Sequence, residues 1–174
     1  MGSDPRDDLW MAAFETFYDS YYEEILADSL VSRWQWLDEA AKVLVALTAT
    51  GSAVTGWALW NAAQFKTIWS IAAGFAAILA ILHPTLRVPS RLTDWGEAKL
   101  YFAALRIDLE TFRYRMQFDA EFPVASFSAE FLTYRKRYGE GMQRLKNDIL
   151  KTKRLQTRAQ DELNQRIEDK SIQE

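Results

Sequence analysis

Lys42-VLVALTATGSAVTGWALWNAAQF-Lys66-TIWSIAAGFAAILAILHPTL-Arg87 decides the fold, because Lys66 is the only charge between Lys42 and Arg87. A helix over residues 43–65 rises about 35 Å and one over 67–86 about 30 Å, each enough for a hydrocarbon core of about 30 Å. Asn61 to Lys66 then forms a short turn between antiparallel spans, with the Lys66 amine reaching the headgroups. Trp57 and Trp60 end the first span, Trp69 opens the second, and Trp34, Trp36 and Trp95 flank the pair. Indole prefers the membrane interface, where an apolar ring and a polar N–H are both satisfied. The predicted fold class is therefore an all-α membrane protein: a two-transmembrane helical hairpin with long cytosolic amphipathic helices forming a bundle.

Neither span is strongly hydrophobic, so helix–helix contacts must help to hold the hairpin. Thr48, Ser52 and Gly56 repeat at four-residue spacing, and Thr48, Ser52 and Thr55 share a face with Gly51 beside it. This stripe admits two readings. The hydroxyls bond to backbone carbonyls and the small residues pack helix to helix, or, in an oligomer, the face lines a polar path.

Outward from the hairpin, the predicted organisation is an N-terminal cytosolic helix over 1–42, a cytosolic helix over 87–122, and a basic C-terminal helix with a charged tail over 123–174. Trp10, Phe14, Phe17, Tyr21 and Ile25 recur at three- and four-residue steps in the first, with Ser3 or Asp4 as cap and Pro5 in its first turn. After the second span, Val88-Pro89-Ser90 is expected to break the chain, and Asp94 with Glu97 forms a capping box. Trp95, Ala98, Phe102, Leu105, Leu109, Phe112 and Met116 then follow in 3-4 alternation, an interface seam of coiled-coil type. Beyond Pro123, a last helix is predicted from about Ser128 with Phe131, Tyr134, Tyr138, Leu145 and Ile149 on one face. Gly139 and Gly141 weaken its middle. Past about Lys151 the chain is polar and charged and is expected to fray.

Charge sets the topology. The turn offers only Lys66, whereas Arg33, Lys42, Arg87 and Arg91 lie on the other side, so both termini are expected in the cytoplasm, at the inner membrane. The first forty residues hold ten acids against Arg6 and Arg33. The C-terminal segment carries a basic face of Arg135, Lys136, Arg137, Arg144, Lys146 and Lys151. Mutual steering of the acidic and basic helices is one account of this split, and anionic lipid the next. A direct nucleic-acid partner is not expected of a chain with pI near 5.3 and no binding motif.

Several function classes fall away. There is no cysteine and only one histidine, His83, so thiolate zinc sites, cysteine nucleophiles and paired-histidine metal boxes are excluded. Glu23-Glu24 and Asp38-Glu39 are adjacent pairs that diverge on a helix, and Gly51 to Gly56 lacks the lysine of a phosphate loop. No catalytic residues, no metal and no cofactor are expected, and the chain is not read as an enzyme.

The layout resembles the SLATT domains, two-transmembrane effectors of bacterial conflict and antiviral systems, over about Tyr21 to Tyr138. The likeness is carried by Tyr21-Tyr22, the Arg33-Trp34 entry, Gly51-Ser52-Ala53 in the first span, the short turn, and Leu105-Arg106 to Leu109-Glu110. It implies a homo-oligomeric effector that permeabilises the membrane, triggered by a separate sensor protein or a nucleotide second messenger, and it transfers no catalytic residue. The competing class is a non-lytic membrane scaffold or accessory subunit that anchors the cytosolic bundle.

Overall fold

The computed structural model describes residues 4–54, 67, 70–71, 74–78, 81, 85–119, 121–145 and 147–173, without the side chains of 47–54 and 170–173. Its elements are α1 (Pro5–Val54), α2 (Val88–Phe118), α3 (Val124–Arg144) and α4 (Lys153–Gln173). The fold is all-helical, with no strand among the described residues. The chain divides into two compact units, Met1–Leu30 with Asp94–Glu174, and Val31–Thr93.

The first unit is a helical bundle. In α1, Asp4 caps the start by accepting the Arg6 N–H at 3.0 Å, with Pro5 at the first helical position, where its missing N–H costs nothing. Leu9, Ala13, Thr16, Ser20, Glu23, Ala27 and Leu30 are buried at steps of four and three, a continuous heptad stripe. The α2 seam is buried too: Trp95, Phe102, Leu105, Leu109, Phe112 and Met116 all lie inside, with Leu105 and Leu109 at 0% exposure. The two helices run antiparallel. Lys99 pairs with Asp28 at 2.7 Å, Arg106 with Glu24 at 2.5 Å, and the Arg113 guanidinium lies 4.7 Å from the Trp10 ring. Small residues on α1 face large ones on α2, which fills the space between them at close packing.

A tight turn leads from α2 to α3. Asp119 Oδ1 accepts the N–H groups of Glu121 and Phe122, and Phe122 takes a positive φ of 30° there. Arg6 donates to the Glu121 carbonyl at 3.1 Å and fixes this turn to the start of α1. Helix α3 returns along α2, with Arg115–Glu130 and Arg137–Asp108 both at 2.7 Å. Along the same interface, Phe112 meets Phe127, Phe131 and Tyr134, and Phe102 meets Tyr138. Gly141 permits the approach: a Cβ there would stand 2.7 Å from Tyr101 Cε1 and 3.0 Å from the buried Phe102 Cζ.

Three sequence expectations change here. Helix α2 begins at Val88, so Pro89 sits in its first turn rather than breaking the chain, and Asp94 lies inside the helix instead of capping it. Helix α3 starts at Val124 and ends at Arg144. Leu145 is therefore an extended C-cap and Ile149 is exposed in the connector, not on the helix face. The segment expected to fray is α4, with Leu155, Ala159 and Leu163 buried at four-residue steps. It is fastened to α1 by Tyr18 donating to Asn164 at 2.5 Å and by Gln160 bonding to the Tyr18 hydroxyl.

In the second unit, Trp34, Ala41, Ala76 and Val88 are buried, whereas Val43, Val45, Ile71, Phe75, Ile78 and Ile81 are 46–69% exposed. Arg87, at φ 51°, makes the left-handed turn that opens α2. Among the described residues no helix is long and apolar enough to cross a membrane. Residues 55–60 of the first predicted span, the turn 61–66 and nine residues of the predicted span 67–86 lie outside the described residues.

Candidate functional site

Within the bundle, one cleft of about 370 Å³ gathers charge and aromatic surface. Helical spacing builds it: Trp10, Phe14 and Tyr21 on α1 present ring faces, and Arg106, Glu110 and Arg113 on α2 present polar heads at three- and four-residue steps. Arg113 lies over Trp10, Phe14 and Phe17 at 4.7–5.3 Å. Arg106 lies over Tyr21 at 4.7 Å while holding Glu24 at 2.5 Å and Glu110 at 3.5 Å. From α4, Arg166 reaches the Tyr21 ring at 5.9 Å and pairs with Glu162 at 2.6 Å. Glu24, Glu110 and Glu162 neutralise much of this charge, and a guanidinium stacked on rings stabilises each contact by roughly 0.5–2 kcal/mol. The cleft therefore works as a cation–π staple that fixes α1, α2 and α4 together.

A second polar group sits deeper. Glu23 occupies the α1 stripe at 6% exposure, and among the described residues its Oε2 has no hydrogen-bond partner. Burial pushes its carboxyl above the ordinary carboxylate range; Lys151 in the α3–α4 connector opposes the shift and Asp19 adds to it. The same cluster drives the Tyr138 hydroxyl to about 12, through burial first and then the charges of Asp19 and Glu23. Nearby, the Trp95 indole N–H donates to Asp148 at 2.6 Å and holds the connector on α2.

Of the sequence-selected residues, Thr48, Gly51 and Ser52 lie in α1 with undescribed side chains, and Thr55 and Gly56 lie outside the described residues. The six seam residues come together in the bundle core with Leu9, Ala13, Phe17, Phe127 and Phe131, apart from Trp95, which is buried separately. The predicted basic face is dispersed instead. Arg137 turns to Asp108 on α2, Arg144 lies 5.3 Å from the Tyr101 ring, and Lys136 meets Glu140 at 4.0 Å. Arg135 is exposed, Lys151 sits in the connector facing Glu23, and Lys146 is outside the described residues. The reason is the end of α3 at Arg144, which removes the later cations from its face.

Sequence reasoning missed Glu23 and the arginine–aromatic cleft. The signal for Glu23 was its heptad register with Ala13, Thr16, Ser20 and Ala27. That for the cleft was the repeat of Arg106 and Arg113 seven residues apart. Among the described residues no group of three metal-ligating side chains could hold an ion, and His83 lies outside them. No protein-family model matches the chain, no curated protein matches it in sequence, and no solved structure matches it.

Proposed function

We propose that this chain is a membrane-embedded effector of a bacterial antiviral or abortive-infection system, which oligomerises and permeabilises the inner membrane when a partner triggers it. The observation that carries the reading is the pair of charge-free segments 43–65 and 67–86, separated by Lys66 alone. Exposure of Val43, Val45, Ile71, Phe75, Ile78 and Ile81 supports it. Apolar surface in water costs about 25 cal/mol per Å², so exposed side chains of this kind favour a covering phase, and lipid suits a charge-free sequence. The bundle of α1, α2, α3 and α4 is the part a sensor protein or a nucleotide second messenger would address. The defence role itself draws on the resemblance carried by Tyr21-Tyr22, Arg33-Trp34 and Gly51-Ser52-Ala53.

The test is leakage of a trapped dye from vesicles, or depolarisation of cells, at equal membrane abundance. Wild-type chain is compared with the Thr48→Leu, Ser52→Leu, Thr55→Leu triple variant. The substitutions make the first span more apolar and favour insertion, while removing the hydroxyls that would hydrate a shared path. Wild-type leakage lost in the triple variant supports the effector. Leakage equal in both discards this pore face, and a triggered wild type that never leaks leaves the non-lytic scaffold.

A further inference from the structure

Helix α2 carries a second heptad stripe. Leu100, Ala104, Ile107, Thr111, Tyr114 and Phe118 follow at steps of four and three, on the side of the helix away from the buried seam. All six are exposed: Leu100 is 70% exposed, Ile107 53% and Phe118 80%, with Tyr114 lower at 40%. Thr111 fits an apolar stripe because its hydroxyl donates back to the Ile107 carbonyl at 2.9 Å, leaving its methyl outward. The stripe spans about 27 Å of helix, at 1.5 Å per residue. Scattered apolar residues on a surface need no explanation, but six in unbroken heptad register do.

We infer that this stripe is a self-association surface, on which α2 of a second copy packs parallel and in register. Charge selects both the occupant and its direction. In a parallel pair the flanking contacts join a residue to the one five positions later in the partner helix. That rule sets Glu110 against Arg115 of the second copy, twice by symmetry. Arg115 is accessible for it, with a side chain 55% exposed beside Glu130. An antiparallel pair would instead bring Glu110 to Glu110 and Asp108 to Asp108, like charge against like. The surface supplies the contact that the effector reading requires, yet it stands on the α2 geometry alone.

The native chain has no cysteine, so single cysteines report the contact directly. Full-length Leu100→Cys, Phe118→Cys and Leu132→Cys variants are oxidised in membranes and run without reductant. Leu132 is equally exposed, on α3, away from the stripe. A parallel in-register pair sets each stripe residue against its own copy, within the short Cα separation a disulfide needs. Leu100→Cys and Phe118→Cys should each form covalent dimers, and Leu132→Cys should not. Adding Ile107→Glu should abolish the Leu100→Cys dimer with an unchanged melting curve, since Ile107 is outside the core. Linkage only between mixed Leu100→Cys and Phe118→Cys chains would mean antiparallel packing and overturn the proposal. Linkage nowhere, linkage equally at Leu132→Cys, or linkage that survives Ile107→Glu would overturn it as well. Lipid flotation of the same samples reads the membrane assignment separately, so either can fail alone.

Discussion

The two units of this chain handle apolar side chains in opposite ways. In the bundle unit, Phe102, Leu105, Leu109 and Phe112 are sealed inside; in the Val31–Thr93 unit, Ile71, Phe75, Ile78 and Ile81 are exposed. The difference follows from charge spacing rather than hydrophobic content. Along α2 a charged residue appears every few positions, so the helix has an obligatory wet side and its large apolar groups collect on stripes. Between Lys42 and Lys66 no charge obliges any side to face water. The patterned helix covers its seam with its own chain; the unpatterned segment is the one for which lipid was proposed as the covering phase.

The strongest way to break that contrast is to place carboxylates in each unit. Leu105→Asp with Leu109→Asp puts two charges where exposure is 0%, and should cost roughly 5 kcal/mol or more, comparable with the whole stability of a small domain. The helical signal and melting transition of the bundle should collapse. On the membrane reading proposed above, Ile78→Asp should leave that transition in place and reduce retention in membranes, since an acid in a span costs about 3 kcal/mol on insertion. Collapse of the bundle with Ile78→Asp, or an undisturbed melt with the double change, would reverse the contrast.

Much of this was legible in α2; in α1 the expected face held at Phe17 and Ile25, which are buried, but the stripe of small and polar residues beside them was not seen, for one physical reason. The α2 seam consists of large apolar residues, so periodicity alone exposes it. Its counterpart on α1 consists of Ala13, Thr16, Ser20, Glu23 and Ala27 beside Leu9 and Leu30. These are small or polar, and what selects them is the bulk of Phe102, Leu105 and Phe112 opposite. The eye is drawn instead to Trp10, Phe14 and Tyr21, which are half-buried and serve Arg106 and Arg113. The acidic character of α1 was equally visible; Arg106 and Lys99 of α2 match Glu24 and Asp28, and of the expected basic face Lys151 lies opposite Glu23. Helix α4 escaped notice because only Leu155, Ala159 and Leu163 anchor an otherwise polar sequence. The candidate membrane stripe was legible as composition, and its arrangement depends on partners that composition does not specify.

A smaller effect sharpens the bundle side of the comparison. Arg106 joins Glu24, Glu110 and the Tyr21 ring, and its side chain is 22% exposed while that of Glu24 is 16% exposed. Arg106→Ala leaves a half-buried carboxylate behind and should cost about 2–3 kcal/mol, read as a lower urea midpoint at unchanged slope. Arg106→Lys should recover only part of the loss, because an ammonium lacks the planar fork and the stacking face. Full recovery by lysine would reduce the cleft to a simple charge contact.

The smallest effect concerns a polar flaw inside the bundle seam. Glu23 is buried with Oε2 unpartnered, and its pKa is raised by burial first, then by Asp19, against the opposing charge of Lys151. A carboxyl whose folded pKa exceeds its unfolded one favours the fold at pH below the unfolded value, and that contribution fades as pH climbs through the folded value. Stability should therefore decline upward from the ordinary carboxylate range, the reverse of a salt-bridged acid. Glu23→Gln removes the titration. Its stability should match that of the parent near pH 4 and exceed it near pH 8, by about 1 kcal/mol, the scale of relieving an unpartnered buried group. Other groups titrate over the same range, so the quantity to follow is the difference between the two proteins, not either curve. Lys151→Met should act in the opposite sense, steepening the decline by stripping the carboxylate of its compensating cation. Curves that stay parallel for both variants across this window would show that Glu23 keeps the same protonation whether the bundle is folded or not, and that the α1 stripe tolerates its charge without cost.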